Sequence, residues 1–455
     1  ILMDIAKGIR TRKDAKINLK GDAEKIFSEI QPASAYALKP DDFFSLAPKL
    51  LVKEGEAVKK GQAVFFNKAN DRVKFVSPVS GTLQEIVRGP KRKILAIRIL
   101  ADDKKQTVTH KLTALDKASR EEVVAALLES GCWPFIQQRP YGIIANPDDQ
   151  PKAIFVSTVS TAPLGVDYSF ILENRKEDFQ KGIDVLNKLA ADKVFVGVDK
   201  DFSGIFGEIK NMNSYTVDGP HPAGNVSLHI QHLAPLNMGE RVWTVRPEDV
   251  ANIGSFYASG IFSAQRTIAI AGSAVKSPKY FRTTIGAEIA PYLENAQLDT
   301  TQPTRVINWG VFTGVADHSK GYLGYFNNLV SVIPEGNNFR LFGWLPFVDN
   351  KIPSLSNTSL SRLFNRKGYE VTTNLNGEER ALVVTGEMEK VFPFDIFPMQ
   401  LLKACMIEDI EKMELLGIYE IVPEDFGLID YANTSKVEAQ EIIRKGIELM
   451  IKEVG

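Results

Sequence analysis

Apolar positions recur with different periods along the chain, and the changes of period mark its organisation. Between residues 43 and 100 they fall in short runs broken by glycine or proline. Strands are predicted over 64–66, 73–76, 82–87 and 94–100, with Gly55, Gly61, Pro78 and Gly81 in the turns. From about residue 105 the runs lengthen and begin to alternate. Ser119-Arg120-Glu121-Glu122 reads as a capping box, opening a helix that Gly131 ends as a C′ glycine. Strands at 153–157 and 193–198 enclose a helix over 178–191, which predicts a doubly wound α/β domain with a mainly parallel sheet. Residues 267–293 then read strand, Gly turn, strand, helix. This is a β-grasp pattern, expected to be completed by 305–313 and 338–344. Two amphipathic helices are predicted over 398–416 and 435–452. Their apolar positions, Met406, Ile410 and Met413 among them, are expected in the core.

A chain of 455 residues is too long for one core, so several domains are expected. Charge narrows the partners: 55 Lys plus Arg stand against 56 Asp plus Glu, without the basic excess of a nucleic-acid binder. Two cysteines, Cys132 and Cys405, are too few for a disulfide framework and suit a reducing cytoplasm. They also exclude an iron–sulfur cluster held by four cysteines of this chain alone. No apolar run approaches the ~20 residues of a membrane helix, and the start ILMDIAKGIRTRK lacks the apolar centre of a signal peptide. The expected location is cytoplasmic, with docking on a membrane complex left open.

Residues 52–64, VKEGEAVKKGQAV, and 77–82, SPVSGT, resemble the two halves of a biotinyl/lipoyl domain. A carrier needs a lysine at the exposed hairpin tip between them. Counting back from Ser77 puts that position at Asn70, and counting forward from Gly61 puts it at Asp71. Lys68 is displaced from both counts and lacks the Met or Asp neighbours that attaching ligases read. The module is expected to be a structural block. The basic turn Arg88-Gly89-Pro90-Lys91-Arg92-Lys93 reads first as a solvated loop, with anionic lipid or a protein partner as the alternative.

Candidate chemistry in the α/β region is sparse. There is no GxGxxG and no GxxxxGK[ST]. His221-Pro222-Ala223-Gly224-Asn225 opens a helix whose first amides could hold an anion, although a plain helix start is the simpler reading. His221, His229 and His232 have no nearby cysteine or carboxylate to complete a metal set, so no metal is expected.

The order of carrier-like block, Rossmann-like domain, β-grasp and helical tail is distinctive. With VKEGEAVKKGQAVF, FVSPVSGTL, GPHPAGNVSLHI and AGSAVKSPKYFRTTIGAEI, it resembles the A-subunit family of the bacterial sodium-translocating NADH:quinone oxidoreductase over nearly the whole chain. The implied fold class is α/β multidomain. It comprises a biotinyl/lipoyl-like β-module in 1–104, a Rossmann-like domain in 105–260, a β-grasp (SLBB-like) domain in 261–344 and a helical region in 345–455. The C subunit of the Rnf complex and the flavin- and NADH-binding subunit of respiratory complex I are similar cousins. Where they carry a glycine-rich flavin loop, this chain reads Gly131-Cys132-Trp133-Pro134-Phe135-Ile136-Gln137-Gln138. Pro134 removes an amide there, and Trp133 and Phe135 are too bulky for close approach to a phosphate.

The resemblance implies a cytoplasmic subunit, peripheral on the inner face of the membrane through its partners, in a redox-driven sodium translocase. It implies no redox cofactor in this chain, flavins and an iron–sulfur cluster in other subunits, and quinone as substrate of the complex. The isolated chain is then expected to be inactive, colourless and unmodified. For a quinone site the candidate contacts are Trp133, Phe135 and Arg139, in the cleft the flavin loop vacated, while the simpler reading has the two aromatics filling that cleft as core. A purely structural scaffold in the same complex is the alternative, and the residues do not separate the two. The missing glycine loop and cysteines oppose an active NADH dehydrogenase module, and the missing lysine opposes a carrier.

Overall fold

The computed structural model describes residues 17–200, 204–336, 353 and 368–455. Four sheets organise them. The first two build the N-terminal module. Ala35–Leu38, Ile94–Ala101, Gly81–Arg88 and Ala57–Val58 form one, and Pro48–Leu50, Ala63–Asn67 and Asn70–Val76 the other. Val64, Phe65, Phe75, Leu83 and Ile97 are buried together in the core, and a register shift between Ala63 and Phe65 goes with the burial of two consecutive residues there. Phe65 and Phe75 stack there at 4.4 Å. Gly81 of the SPVSGT stretch is required by a close approach, since a Cβ there would stand 2.1 Å from the Leu100 carbonyl oxygen.

The hairpin tip departs from expectation. Asn67 pairs with Asn70, so the turn is Lys68–Ala69 and an exposed lysine does stand at the tip. Register shifts within this strand pair displace the count from either flank. The neighbours of Lys68 remain Asn67 and Ala69.

The third sheet runs Ile143–Ile144, Ile136–Arg139, Val242–Val245, Ile154–Ser157, Val194–Asp199, Asn213–Val217. Its last four strands are parallel, and the first two are antiparallel additions. Helix Arg120–Ser130 begins with the Ser119–Glu122 capping box and ends at Gly131, φ 79°. Helices Lys176–Ala190 and Pro247–Ser259 cover the sheet in tight contact. A Cβ on Gly254 would lie 1.8 Å from the Asp178 carbonyl oxygen, so only glycine permits that crossing.

The fourth sheet is Glu24–Ser28, Lys279–Thr284, Gln265–Ala271, Leu329–Pro334, Thr304–Asn308, Val315–Asp317, packed on helix Ala290–Ala296. Its edge strand Glu24–Ser28 comes from the N-terminal part of the chain and runs parallel to Lys279–Thr284. The expected strand over 338–344 lies outside the described residues. Further on, helices Pro398–Met406 and Ile410–Leu415 replace the single predicted one, because Asp409 caps a new helix by accepting from the Lys412 amide. That break turns Met406 outward: it is 56% exposed, whereas Met413 is buried. Helix Ala439–Glu453 packs back on the first of these.

Candidate binding cleft

The connections of the third sheet create a crevice. From Ile154–Ser157 the chain crosses by helix Lys176–Ala190 to Val194–Asp199 and on to Asn213–Val217. It returns by helix Val226–Leu233 to Val242–Val245, on the other side of the starting strand. Adjacent strands whose connections leave in opposite directions open a gap beyond their carboxyl ends, the usual ligand position in such sheets. A cavity of about 160 Å³ occupies it, floored by Ser157 and Thr244. Trp309 and Phe312 wall it from the β-grasp side and Glu424 from the helical side.

Two helices without a side-chain cap begin at this cavity. Asn225 and Arg246 are their N-cap residues, and neither caps its helix with its side chain. The short helix Tyr168–Ile171 also starts there, with Tyr168 on the cavity, but Asp167 caps it, as Ser119 caps helix Arg120–Ser130 elsewhere. Uncapped first turns leave amide donors available.

Two guanidiniums add donors. Arg139 is 3% exposed, with Nη2 3.5 Å from a Glu424 carboxylate oxygen. Arg246 lies over the rings of Trp309 at 4.9 Å and Phe326 at 5.3 Å. The Nε of each is buried and finds no partner among the described residues. Burial lowers the pKa of Arg139, but an arginine stays charged. Beneath the floor, Arg266 donates from Nη2 to Asp249 at 2.7 Å and faces Glu248 at 3.5 Å, all three sealed from solvent. Asp425, 2% exposed, accepts from Asn225 Nδ2 at 2.9 Å and from the Val422 amide at 3.0 Å. Burial, with Glu424 beside it, pushes its carboxyl up to about 6.

The charges decide what this cleft suits. Arg139, Arg246 and Arg266 are matched by Glu248, Asp249, Glu424 and Asp425, so the donors sit in a field that is not positive. A polyanion gains little there. A neutral ring carrying acceptor oxygens can take the N–H groups without an unpaired charge.

The three expected contact residues separate. Arg139 lines the cleft. Trp133 and Phe135 lie in the core and do not line it. Trp133 donates Nε1–H to the Ala145 carbonyl at 2.7 Å and meets Trp243 edge-on. Phe135 stacks on Phe262 and leans on Tyr325. Sequence reasoning missed Arg246, Trp309 and Phe312. The available signal was Arg246-Pro247, a cation at a strand end with proline opening a helix.

The histidines have structural partners. His229 donates Nε2–H to the Ala223 carbonyl at 2.7 Å and accepts from the Tyr215 hydroxyl at Nδ1, 2.9 Å away; burial pulls its pKa down to about 4. His221, pulled down to about 4 by burial, stacks on Phe312 with Nδ1 3.3 Å from Thr161 Oγ1. His232 bonds the Leu228 carbonyl.

Comparison with known proteins fits this layout. Residues 9–102 match the NqrA N-terminal barrel-sandwich hybrid domain, 118–262 the NqrA second alpha/beta domain and 267–317 the NQRA C-terminal domain. The A subunit of the Na(+)-translocating NADH-quinone reductase of Neisseria gonorrhoeae is 33% identical over 448 residues, covering 98% of this chain and 100% of that protein. The chain belongs to the A-subunit family of Na(+)-translocating NADH-quinone reductases. Its counterpart in Hahella chejuensis is 36% identical over 453 residues, again 98% of this chain and all of that one. The complexes this family serves are oxidoreductases. The N-terminal module is thus the family's barrel-sandwich hybrid, and the β-grasp sheet its SLBB-like part. Among solved structures, a chain of an NAD+-reducing [NiFe]-hydrogenase aligns at 12% identity and TM-score 0.39, over 76% of this chain and 66% of that one. No described helix is long and apolar enough to cross a membrane.

Proposed function

We propose that this subunit holds quinone in the switch-point cleft and contributes to assembly of a redox-driven sodium translocase, without a redox cofactor of its own. The observation that carries this is the pair of buried, unpartnered Nε donors of Arg139 and Arg246 at a cavity of about 160 Å³. An apolar cavity of about 150 Å³ takes one benzene, so the space suits a single ring. The relatives are subunits of NADH-quinone reductases, and that supplies the substrate class. In this reading Arg139 and Arg246 donate to the quinone oxygens, Trp309 and Phe312 flank the ring, and Trp133 and Phe135 brace the floor.

The α/β domain is Rossmann-like in this account, with its flavin loop replaced by the turn at Trp133–Phe135. Flavins and iron–sulfur chemistry then belong to other subunits, which deliver the electrons and move the sodium. The chain sits on the cytoplasmic face, held by membrane partners. Exposed Phe397, Ile407 and Leu415 favour a role in assembly as well. Titration of the purified chain with decylubiquinone, read by tryptophan fluorescence, tests the site. Saturable binding that weakens about tenfold or more in Arg139→Met supports it; equal affinity in the folded variant removes it.

A further inference from the structure

One stretch of the N-terminal module departs from the balanced charge of the chain. Between Glu85 and Asp102 there is no acid, and five cations fall there: Arg88, Lys91, Arg92, Lys93 and Arg98. Arg98 is paired with Glu85 at 2.6 Å. The other four lie at the turn joining strands Gly81–Arg88 and Ile94–Ala101, and all four are exposed. Lys93 reaches Asp41 at 2.8 Å, whereas Arg88, Lys91 and Arg92 have no ion pair among the described residues. The backbone closes the turn by itself: the Gly89 amide donates to the Lys93 carbonyl at 2.8 Å, and the Lys93 amide to the Pro90 carbonyl at 3.1 Å. Lys91 and Arg92 take φ values of 53° and 59°. Glycine or asparagine adopts that conformation at less cost, so two charged side chains stand where the fold does not ask for them.

Resting on the reading above that the chain sits on a membrane complex, we propose that this turn docks on the anionic lipid headgroups of that membrane. The relatives are subunits of Na(+)-translocating complexes, which work across a membrane. The cytoplasmic leaflet carries a negative surface potential that draws basic segments to it. The build of the turn favours lipid over protein. A protein interface needs a buried apolar centre with shaped contacts. Within residues 88–95 the one exposed large apolar side chain is Leu95, at 38%. Long cationic side chains on a narrow tip need no fixed partner geometry, which suits a fluid layer of phosphates. Asp41, the partner of Lys93, also lines a cavity of about 260 Å³ that is shared by Arg139, Arg246 and Glu424 of the cleft. A membrane seated on the turn therefore lies beside the rim of that cavity.

The test is cosedimentation of the full chain with vesicles of phosphatidylcholine containing phosphatidylglycerol, against vesicles of phosphatidylcholine alone. Binding to the anionic vesicles is expected at low salt and should be lost at about 1 M salt, where the screening length is about 3 Å. Arg88→Gln, Lys91→Asn and Arg92→Asn together should weaken it about a hundredfold, since each charge contributes about fivefold. Lys49→Gln, Lys59→Gln and Lys68→Gln together, at exposed lysines of the same module outside this turn, remove as much charge and should change binding little. Equal weakening by the two triple variants would overturn the turn as the docking site, as would unchanged binding in the first. No preference of the unaltered chain for anionic vesicles would overturn the lipid contact, while copurification of the chain with its membrane partners would still decide its peripheral placement. If the first triple variant kept vesicle binding but no longer assembled with the membrane subunits, the turn would face an acidic protein surface and the lipid contact would fall.

Discussion

Phe135 and Arg139 lie on one short stretch of chain, yet they belong to different parts of the molecule. Phe135 ends a 3-10 turn and is closed in by Phe262 and Tyr325. Arg139 ends the strand that follows, and its guanidinium lies at the cleft. Below the strand the rings fill space and touch one another; at its end the polar atoms are buried but not all satisfied. Burial alone therefore does not separate core from site. The Trp133 indole has a partner and the Arg139 Nε has none, but the Trp243 indole in the core also lacks one, so what marks Arg139 is that its buried, unpartnered donor lies at a cavity.

The largest effect should come from the core side. Phe135→Ala is expected to cost about 3–5 kcal/mol of stability, measured by urea unfolding, because neither stacked neighbour can collapse into the gap. The folded fraction should bind quinone as before. A stable Phe135→Ala chain with weakened binding would erase the distinction between the two regions.

A somewhat smaller effect is expected from pH. The Asp425 carboxyl is raised from 3.8 to about 6, so the fold holds its proton more tightly than the unfolded chain does. The stability this contributes is complete below about pH 4 and is lost as pH rises through about 6, roughly 3 kcal/mol in all. The groups around it are Glu424, Arg139 and Asn225. Asp425→Asn should flatten thermal stability between pH 4 and 7, and an unchanged slope would show that another group sets it.

Next comes the cleft itself. Arg139→Met should weaken quinone ten- to a hundredfold, the range for hydrogen bonds from a charged group. Its stability at pH 7 should fall as well, because the buried Asp425 loses its neighbouring cation, even though Glu424, 38% exposed, can rehydrate; affinity is therefore read on the folded chain. Arg246→Lys keeps the charge but loses the planar contact with Trp309, and a two- to fivefold loss of affinity is expected. If Arg246→Lys proved the more damaging of the two, the ring would have to sit nearer Trp309 than Arg139.

Much of the fold was legible in the chain because local chemistry fixed it. The capping box at Ser119, the glycine turns of the first module and the strand–helix alternation through 153–198 each rest on neighbours in sequence. The edge strand Glu24–Ser28 was not legible, since it completes a sheet whose other strands follow residue 264. Nor was the outward turn of Met406, which depends on Asp409 breaking one helix into two. The cleft was half legible. Arg139 could be singled out from the altered loop beside it, but Arg246, Trp309 and Phe312 reach the same cavity from distant stretches, and no spacing in the sequence announces that.

Photo-crosslinking with an azido-quinone on the assembled complex, followed by peptide mapping, tests the central claim most directly. Label is expected on peptides of this chain carrying Arg139, Arg246 or residues 309–313, suppressed by excess unlabelled quinone and reduced by Arg139→Met. Label confined to other subunits, or found on this one only away from the cleft, as at the hairpin 67–72, would contradict the account.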